Sequence, residues 1–250
     1  MDLERLGSAD LAADFLSWYR EFSASRSTTS LAHHYVAYRA FVRAKVACLR
    51  CAQGADAAAD AVALTAIALR HLRTAQIRLV LVGGLPGTGK TTVAGALADR
   101  VCAVMLRTDQ LRRELPGAAQ LAAHAGCGRG LYDSDNVHGT YSEMLTRART
   151  LLAHGENVVL DARWSNAEER EAARAVAREI SAAPSELHCV APAEISEARI
   201  TARTDDASDA TAEIAARMAR QFAVWPQATR IDTSGRPDTA VSEACEALEP

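Results

Sequence analysis

The feature that most constrains this chain is a glycine-rich octapeptide, GLPGTGKT, at residues 84–91. It matches the pattern G-x-x-x-x-G-K-[ST], with an apolar run before it and a helical pattern after it. Such a loop can close its backbone N–H groups around a polyphosphate, because glycines leave no side chain in the way. Only Lys45 and Lys90 are lysines among 28 basic residues, and a compact ammonium at Lys90 suits the β- and γ-phosphates. The loop is therefore predicted to bind a nucleoside triphosphate.

The residues around this loop are expected to share the work of binding. The helix that opens at Gly89 directs its positive N-terminal end toward the same anion. The hydroxyl of Thr91 is a candidate ligand for Mg²⁺. The predicted nucleotide-binding residues are Gly84, Leu85, Pro86, Gly87, Thr88, Gly89, Lys90, Thr91 and Thr92.

The first part of the chain reads as helical throughout. Apolar residues recur at helical spacing over 9–24, 31–52 and 56–74, and no strand pattern interrupts them. Ser30 is the predicted N-cap of the second helix. We expect an all-helical segment over residues 1–75.

From residue 76 onward, apolar runs of strand length alternate with helical patterns. Alternation of this kind is typical of a parallel sheet with helices on both faces. Residues 76–250 are therefore predicted to form an α/β P-loop NTPase domain, a three-layer sandwich with a five-stranded parallel sheet. The predicted strands cover 77–82, 102–106, 157–162, 186–190 and 229–233.

Charged residues follow two of these strands, at the sheet edge where open α/β sheets bind ligands. Asp109 is a candidate general base for a hydroxyl that attacks the γ-phosphate, and Arg112 could bind the acceptor; helix capping is the alternative for Asp109. Asp161 is predicted to hold Mg²⁺, unless its role is only a structural hydrogen bond. Arg163 and Trp164 follow on the same rim, where Trp164 could flank a substrate or cover the sheet end.

Two arginines further along are candidates for a lid. Arg199 and Arg203 stand four residues apart on one helical face, and could close over the γ-phosphoryl group in the transition state. The alternative is a solvated pair of arginines balanced by Glu197 or Asp205. The segment 232–235 lies where an adenine base often rests, or forms a plain turn.

Composition excludes several classes of protein. The net charge of −3 gives no general reason to bind nucleic acid. The six cysteines have no disulfide spacing, and the Cys48–Cys51 pair falls within a helical pattern, which favours packing over metal binding. No signal peptide and no apolar run of membrane-spanning length is evident, so the expected location is the cytoplasm.

Taken together, these segments resemble the small P-loop kinases: the zeta-toxin-like and predicted-kinase group, polynucleotide 5′-hydroxyl kinases and, more distantly, gluconate kinases. The resemblance covers about residues 76–235. It implies that the aspartate after the second strand acts as general base and that the lid arginines contact phosphates. The matching segments are 84–92, 107–115, 158–164 and 199–204.

The helical segment carries a second resemblance. Residues 33–50 look like part of the helical tail of an aminoglycoside-phosphotransferase-like domain, which precedes a P-loop kinase domain in bacterial two-part proteins. The match covers about 10–73 and lacks the catalytic H-G-D and D-x-D segments, so no separate phosphotransferase activity is expected. A missing or separately encoded N-terminal domain is the implied partner. Arg39, Arg43 and Lys45 either face the kinase site or form a charged helix face.

The function predicted from the sequence is transfer of the γ-phosphate of ATP, with Mg²⁺, to a hydroxyl of a small molecule. A nucleotide-dependent regulatory module with slow ATPase activity is one alternative, and a polynucleotide 5′-hydroxyl kinase is another. The acceptor stays open, because its contacts are expected from the long segment 116–141. The candidate catalytic residues are Lys90, Asp109, Arg112, Asp161, Arg199 and Arg203.

Overall fold

The structure is a computed structural model in which the chain divides into two compact units, Met1–Ile77 and Arg78–Pro250. Most of the expected acceptor segment, 116–141, lies outside the described residues. The described residues are 1–23, 28–114, 134–202, 220 and 222–248.

The first unit is helical. Its third helix begins after Thr28, whose hydroxyl accepts a hydrogen bond from the backbone N–H of Leu31. Thr28 is therefore the N-cap, and the prediction of Ser30 was wrong: Ser30 lies inside the first turn, where its hydroxyl reaches the Ala75 carbonyl over 2.5 Å. Tertiary contact with the end of the fourth helix thus takes the Ser30 side chain away from local capping. The helices are α1 (Asp2–Arg5), α2 (Ala9–Phe22), α3 (Thr29–Ala52) and α4 (Ala58–Ala75).

The second unit confirms the predicted α/β fold with a five-stranded parallel sheet. The strand order is β2-β3-β1-β4-β5, and every neighbouring pair is parallel. The strands are β1 (Arg78–Gly83), β2 (Ala103–Arg107), β3 (Asn157–Asp161), β4 (Ala183–Val190) and β5 (Thr229–Asp232). The helices are α5 (Lys90–Arg100), α6 (Thr108–Glu114), α7 (Ser134–Ala153), α8 (Ala167–Ile180), α9 (Ala193–Thr201) and α10 (Pro237–Glu246).

Three strands begin at positions that the sequence did not predict, and β1 starts at Arg78, one residue later than expected. The backbone of Cys102 has a positive φ of 50°, so β2 starts one residue later than expected. β4 starts three residues earlier, at Ala183, because pairing with β1 extends to Pro184 and Ser185 although neither belongs to an apolar run. Sheet pairing thus decides bounds that periodicity does not.

The core explains why the strands read as continuous apolar runs. Val80, Val82 and Val159 point to one face of the sheet, where they pack against Val93 and Leu97 of α5, and all five side chains are buried. A central parallel strand is covered on both faces, so it needs no polar side. The order of the strands places the end of β1 between the ends of β3 and β4. No helix in the described part of the chain is long and apolar enough to span a bilayer.

Candidate active site

The glycine loop leaves β1 and turns into α5 through three residues of positive φ. Gly84 has φ of 148°, and a Cβ there would lie 2.5 Å from the Cys189 carbonyl oxygen and 2.7 Å from the Thr88 hydroxyl. Gly87 has φ of 81°, and a Cβ on it would run into the backbone of α9. Gly89, at φ of 77°, is the N-cap of α5. The glycines therefore let the loop curl in contact with neighbouring backbone and end at the positive pole of a helix.

Behind the loop, Thr91 and Asp161 are directly bonded. The Thr91 hydroxyl donates to Oδ2 of Asp161 over 2.7 Å, and the guanidinium Nε of Arg107 lies 3.3 Å from the same oxygen. The other carboxylate oxygen, Oδ1, is buried and has no hydrogen-bond partner among the described residues. A hydroxyl oxygen beside an unsatisfied carboxylate oxygen is a donor set suited to a hard cation such as Mg²⁺. The residues present therefore fit the metal that the sequence predicted.

Burial controls the acidity of Asp161. Only 4% of the residue is exposed, and this desolvation raises the pKa of its carboxyl group above the usual value. The positive charge of Lys90, the Thr91 hydrogen bond and the charge of Arg107 act in the opposite direction, while Asp109 adds to the rise. Asp161 thus lies within electrostatic reach of both the loop lysine and the second carboxylate.

Asp109 lies in the first turn of α6, directly after β2. The helix already begins at Thr108, so Asp109 does not occupy the N-cap position that was its alternative role. Its side chain is 21% exposed and accepts a hydrogen bond of 3.1 Å from Arg112. The Thr108 hydroxyl is 3.4 Å from the Asp161 carbonyl oxygen, and this contact joins the start of α6 to the end of β3. The structure thus holds an accessible carboxylate near the buried one.

Arg199 borders a cavity beside the loop. The cavity has a volume of about 240 Å³. One guanidinium nitrogen of Arg199 donates to the Thr233 carbonyl over 2.7 Å, whereas Nη1 is buried without a hydrogen-bond partner in the described regions. Arg203, its predicted lid companion, lies outside the described residues. The cavity is lined by Gly87, Gly89, Thr92, Val93, Arg199, Thr233, Pro237 and Ala240.

Trp164 covers the sheet end rather than flanking a substrate. Trp164 is fully buried. Its ring packs edge-to-face on Tyr141, with the ring centres 5.1 Å apart, and its indole N–H donates to the Leu160 carbonyl over 3.2 Å. The neighbouring carbonyl of Arg163 accepts a 3.3 Å hydrogen bond from the backbone N–H of Gly84. Both residues thus support the loop from the β3 side.

Sequence reasoning missed two supporting residues. Arg107 is the partner of Asp161 in the β2–β3 register, which only the strand order reveals. Thr233, read as an adenine neighbour or a turn residue, has its hydroxyl 2.5 Å from the Thr88 carbonyl and 2.8 Å from the Val190 carbonyl. One hydroxyl thereby joins the glycine loop to the ends of β4 and β5.

The basic residues of α3 are in part engaged within their own unit. Arg43 pairs with Asp2, Lys45 lies 5.2 Å from the centre of the Phe41 ring, and Arg39 is exposed. Within the described ranges, no group of three His, Cys, Asp or Glu residues is arranged to hold a metal.

The comparisons with known proteins agree with the fold. An uncharacterized protein of Mycobacterium tuberculosis is 44% identical to this chain over 246 residues, which are 98% of the chain and 49% of the relative. The chain thus spans about half the length of the curated relatives it matches. A sugar kinase from Janibacter and a gluconokinase from Sinorhizobium meliloti each cover 69% of the chain with TM-scores of 0.55, at 19% and 16% identity.

Those two solved structures are covered to 94% and 91% of their own length, so the shared part is their whole fold. It is the fold of P-loop kinases, with the glycine loop after the central strand. A family profile described as AAA domain matches residues 79–225, more than half of the chain. This P-loop protein therefore belongs to the AAA domain family.

Proposed function

We propose that the chain transfers the γ-phosphate of ATP to a hydroxyl group of a small molecule. The observation that carries the proposal is the pairing of Thr91, at the start of α5, with the buried Asp161, with the accessible Asp109 close enough to affect the acidity of Asp161. A regulatory module that binds ATP and hydrolyses it slowly needs the first pair and has no evident use for the second carboxylate.

The triphosphate is assigned to the glycine loop. Its backbone N–H groups and Lys90 hold the β- and γ-phosphates at the N-terminus of α5. The adenosine end is assigned to the cavity of about 240 Å³ that begins at Gly87 and Gly89. There Arg199 and Pro237 would contact the base, and the buried Nη1 of Arg199 would gain an acceptor that it lacks among the described residues.

Thr91 and Asp161 are the residues that hold Mg²⁺. When bound, the metal neutralises charge on the β- and γ-phosphate oxygens. The raised pKa of Asp161 reflects the cost of burying its carboxylate, and a cation at this position would offset that cost. Arg107 fixes the orientation of Asp161 from the other side.

Asp109 accepts the proton of the acceptor hydroxyl. The hydroxyl oxygen bonds to the γ-phosphorus at the same time, and the bond between the γ-phosphorus and the oxygen that bridges to the β-phosphate breaks. Arg112, paired with Asp109 over 3.1 Å, orients that carboxylate and presents a cation to the acceptor. Lys90 stabilises charge on the transferring phosphoryl oxygens. Arg203 is proposed to act on the same phosphoryl group, because the sequence predicts it as a lid arginine.

The names of the structural neighbours suggest which acceptors to try. The Janibacter protein is named a sugar kinase and the Sinorhizobium protein a gluconokinase. Polyhydroxy compounds are therefore the first class to test.

The experiment incubates the chain with Mg²⁺ and γ-labelled ATP in a metabolite pool enriched in sugars and sugar acids. A labelled small molecule that is formed by the wild type and not by Asp109→Asn is the expected result. Hydrolysis of ATP without any labelled acceptor would support the regulatory module instead, and label on a 5′-hydroxyl oligonucleotide would support a polynucleotide kinase.

A further inference from the structure

The helix α3 buries its small side chains and exposes its large ones. Four alanines form the buried stripe, and one of them, Ala40, forms a core cluster with Ile67 and Ala68 of α4. The opposite side of α3 carries Tyr35, Tyr38 and Leu49, which are 64%, 62% and 64% exposed. An amphipathic helix normally turns its larger apolar residues toward the helix it packs on, which here is α4. In α3 these residues point away from α4. The buried alanines are Ala37, Ala40, Ala44 and Ala47.

The helix α2 shows the same inversion. Leu11, Phe15, Trp18 and Phe22 recur at i, i+4, i+7 and i+11 and therefore share one face. All four are exposed, Phe22 to 80%, while the one buried residue of this helix is Ala12. Two neighbouring helices thus each present an aromatic stripe to the surroundings.

A groove lies between the two helices, and Tyr35 of the α3 stripe lines it. A cavity of about 620 Å³ lies between the helices, with Tyr19 of α2 and Tyr35 of α3 on its walls. We call the groove and both stripes the apolar face, which comprises Leu11, Phe15, Trp18, Tyr19, Phe22, Leu31, Tyr35, Tyr38 and Leu49.

The extent of this face is that of an interface. An aromatic side chain buries roughly 150–250 Å² when covered, so side chains that are about half exposed leave on the order of 100 Å² each. The face therefore offers close to the roughly 800 Å² per partner of a standard protein–protein interface. Apart from Val104 and Val224, every exposed large apolar residue in the described ranges lies in the first unit. Patches of this size mark interaction surfaces.

The length of the relatives indicates what covers the face. The matched region is 98% of this chain but only 49% of the Mycobacterium tuberculosis relative, which therefore carries about as many residues again. We propose that the apolar face binds the region forming that other half, either joined to this chain or made as a separate polypeptide. In α3 the four charged side chains, Arg39, Arg43, Lys45 and Arg50, are all basic. A partner with carboxylates around an apolar centre fits the α3 side of this face, whereas a second copy that set α3 against α3 would bring like charges together.

The test is co-expression of the full 250-residue chain with the unmatched half of the Mycobacterium tuberculosis relative. The expected result is a 1:1 complex in light scattering and slowed hydrogen exchange over 9–22 and 29–52, relative to the chain alone. The double variant Trp18→Glu, Tyr38→Glu is expected to weaken the complex at least about tenfold, as loss of central aromatic anchors does. Val224→Glu, which charges an exposed valine in the other unit, is the matched control and should leave the complex intact.

Unchanged thermal melting of the double variant shows that it folds, which is expected because both residues are more than half exposed. The proposal is overturned by the absence of a complex, by a complex that tolerates the double variant, or by a homodimer of the chain alone that the same double variant dissociates.

Discussion

The hydroxyl of Thr91 and the carboxylate of Asp161 lie 2.7 Å apart, although 70 residues separate them in sequence. Parallel pairing of β1 with β3 sets Val82 opposite Asp161, and the loop after β1 returns Thr91 to the same point. The contact therefore follows from the strand order, since β3 and not β2 is the neighbour of β1. It gives the site a polar pair that is already in place before any cation binds.

Asp161→Asn is expected to weaken the binding of Mg²⁺ and ATP without lowering the stability of the fold. Burial raises the native pKa of Asp161, so the folded state holds this proton more tightly than the unfolded chain, whose aspartate titrates near about 3.9. The stability contributed by this group therefore falls as the pH rises from the unfolded pKa to the raised native pKa of Asp161, and it stays lower above the native pKa. Without metal, the variant should melt at or above the wild-type temperature at pH 7, and the difference should shrink as the pH falls toward 4.

The same variant should lose most of the stabilisation by Mg²⁺ and ATP. For a ligand at a hundredfold excess over Kd this stabilisation amounts to about 2.7 kcal/mol, and it is read from the shift in Tm. Thr91→Ser keeps the hydroxyl and is the matched control. A variant that still melts higher with Mg²⁺ and ATP, to the wild-type extent, would remove Asp161 from the metal site.

Asp109→Asn is expected to slow phosphate transfer by about 10²–10⁴-fold, the usual contribution of a general base. ATP affinity should stay nearly unchanged, because the Asp109 carboxylate is assigned to the acceptor and not to the nucleotide. Steady-state transfer rates and ATP titration measure the two effects separately. Arg113→Gln, an exposed neighbour on the same helix, serves as control, and equal transfer by Asp109→Asn and wild type would assign the base elsewhere.

Much of this site could be predicted because its signals are local. The pattern at 84–91 specifies backbone geometry residue by residue, and the apolar run before Asp161 places that residue at a strand end. The five-stranded parallel sheet follows from the alternation of strands and helices, and the structure confirms it. Periodicity and loop chemistry need no knowledge of distant contacts.

The parts that sequence could not supply depend on such contacts. Arg107 becomes a neighbour of Asp161 only through the β2–β3 register. Ser30 loses the predicted capping role because the Ala75 carbonyl, 45 residues away, takes its hydroxyl. The burial of Trp164 depends on Tyr141 of α7 packing against it, a choice that the rim position alone left open.

Arg199→Met tests whether this arginine contacts the adenosine end of the nucleotide or the γ-phosphoryl group. If Arg199 holds the adenosine end, as the cavity suggests, ATP binding should weaken about tenfold, equal to roughly 1.4 kcal/mol, with little change in the rate at saturating ATP. If instead it closes over the γ-phosphoryl group, kcat should fall and ATP affinity should hold. The comparison of kcat with the ATP Kd decides, with Arg149→Met, an exposed arginine of α7, as control.

Two glycine substitutions should have opposite effects on stability. A Cβ on Gly84 would press on the Cys189 carbonyl at a strained φ, so Gly84→Ala should lower the free energy of unfolding by about 1–3 kcal/mol and weaken ATP binding. Gly95 lies within α5 with nothing within 4 Å of an added Cβ. Gly95→Ala should therefore raise stability by about 0.5–1 kcal/mol, and urea titration of both variants checks the contrast.

A partly buried ion pair beyond the site should contribute to the stability of the second unit. Glu186 accepts hydrogen bonds from Arg174 over 2.5 and 2.8 Å and another from the Trp225 indole N–H. Glu186→Ala leaves the buried Trp225 indole without its acceptor and Arg174 with Glu171 alone, so it should cost about 1–3 kcal/mol, and the fluorescence of Trp225 should follow the unfolding. Glu171→Ala removes a half-exposed partner of the same arginine and should cost under about 1 kcal/mol.

The Glu186 prediction extends to the glycine loop. The Trp225 ring occupies the space where a Cβ on Gly83 would lie, the distance to Cη2 being 2.8 Å, and Gly83 is the last residue of β1 before the loop. Loosening Trp225 should therefore weaken ATP binding in Glu186→Ala at temperatures where the unit is still folded. Glu186→Gln keeps an acceptor for the indole and should preserve ATP binding better than it preserves stability. Equal loss of ATP binding in both variants would show that the charge of Glu186 supports the loop, and not the hydrogen bond that fixes the position of the Trp225 ring.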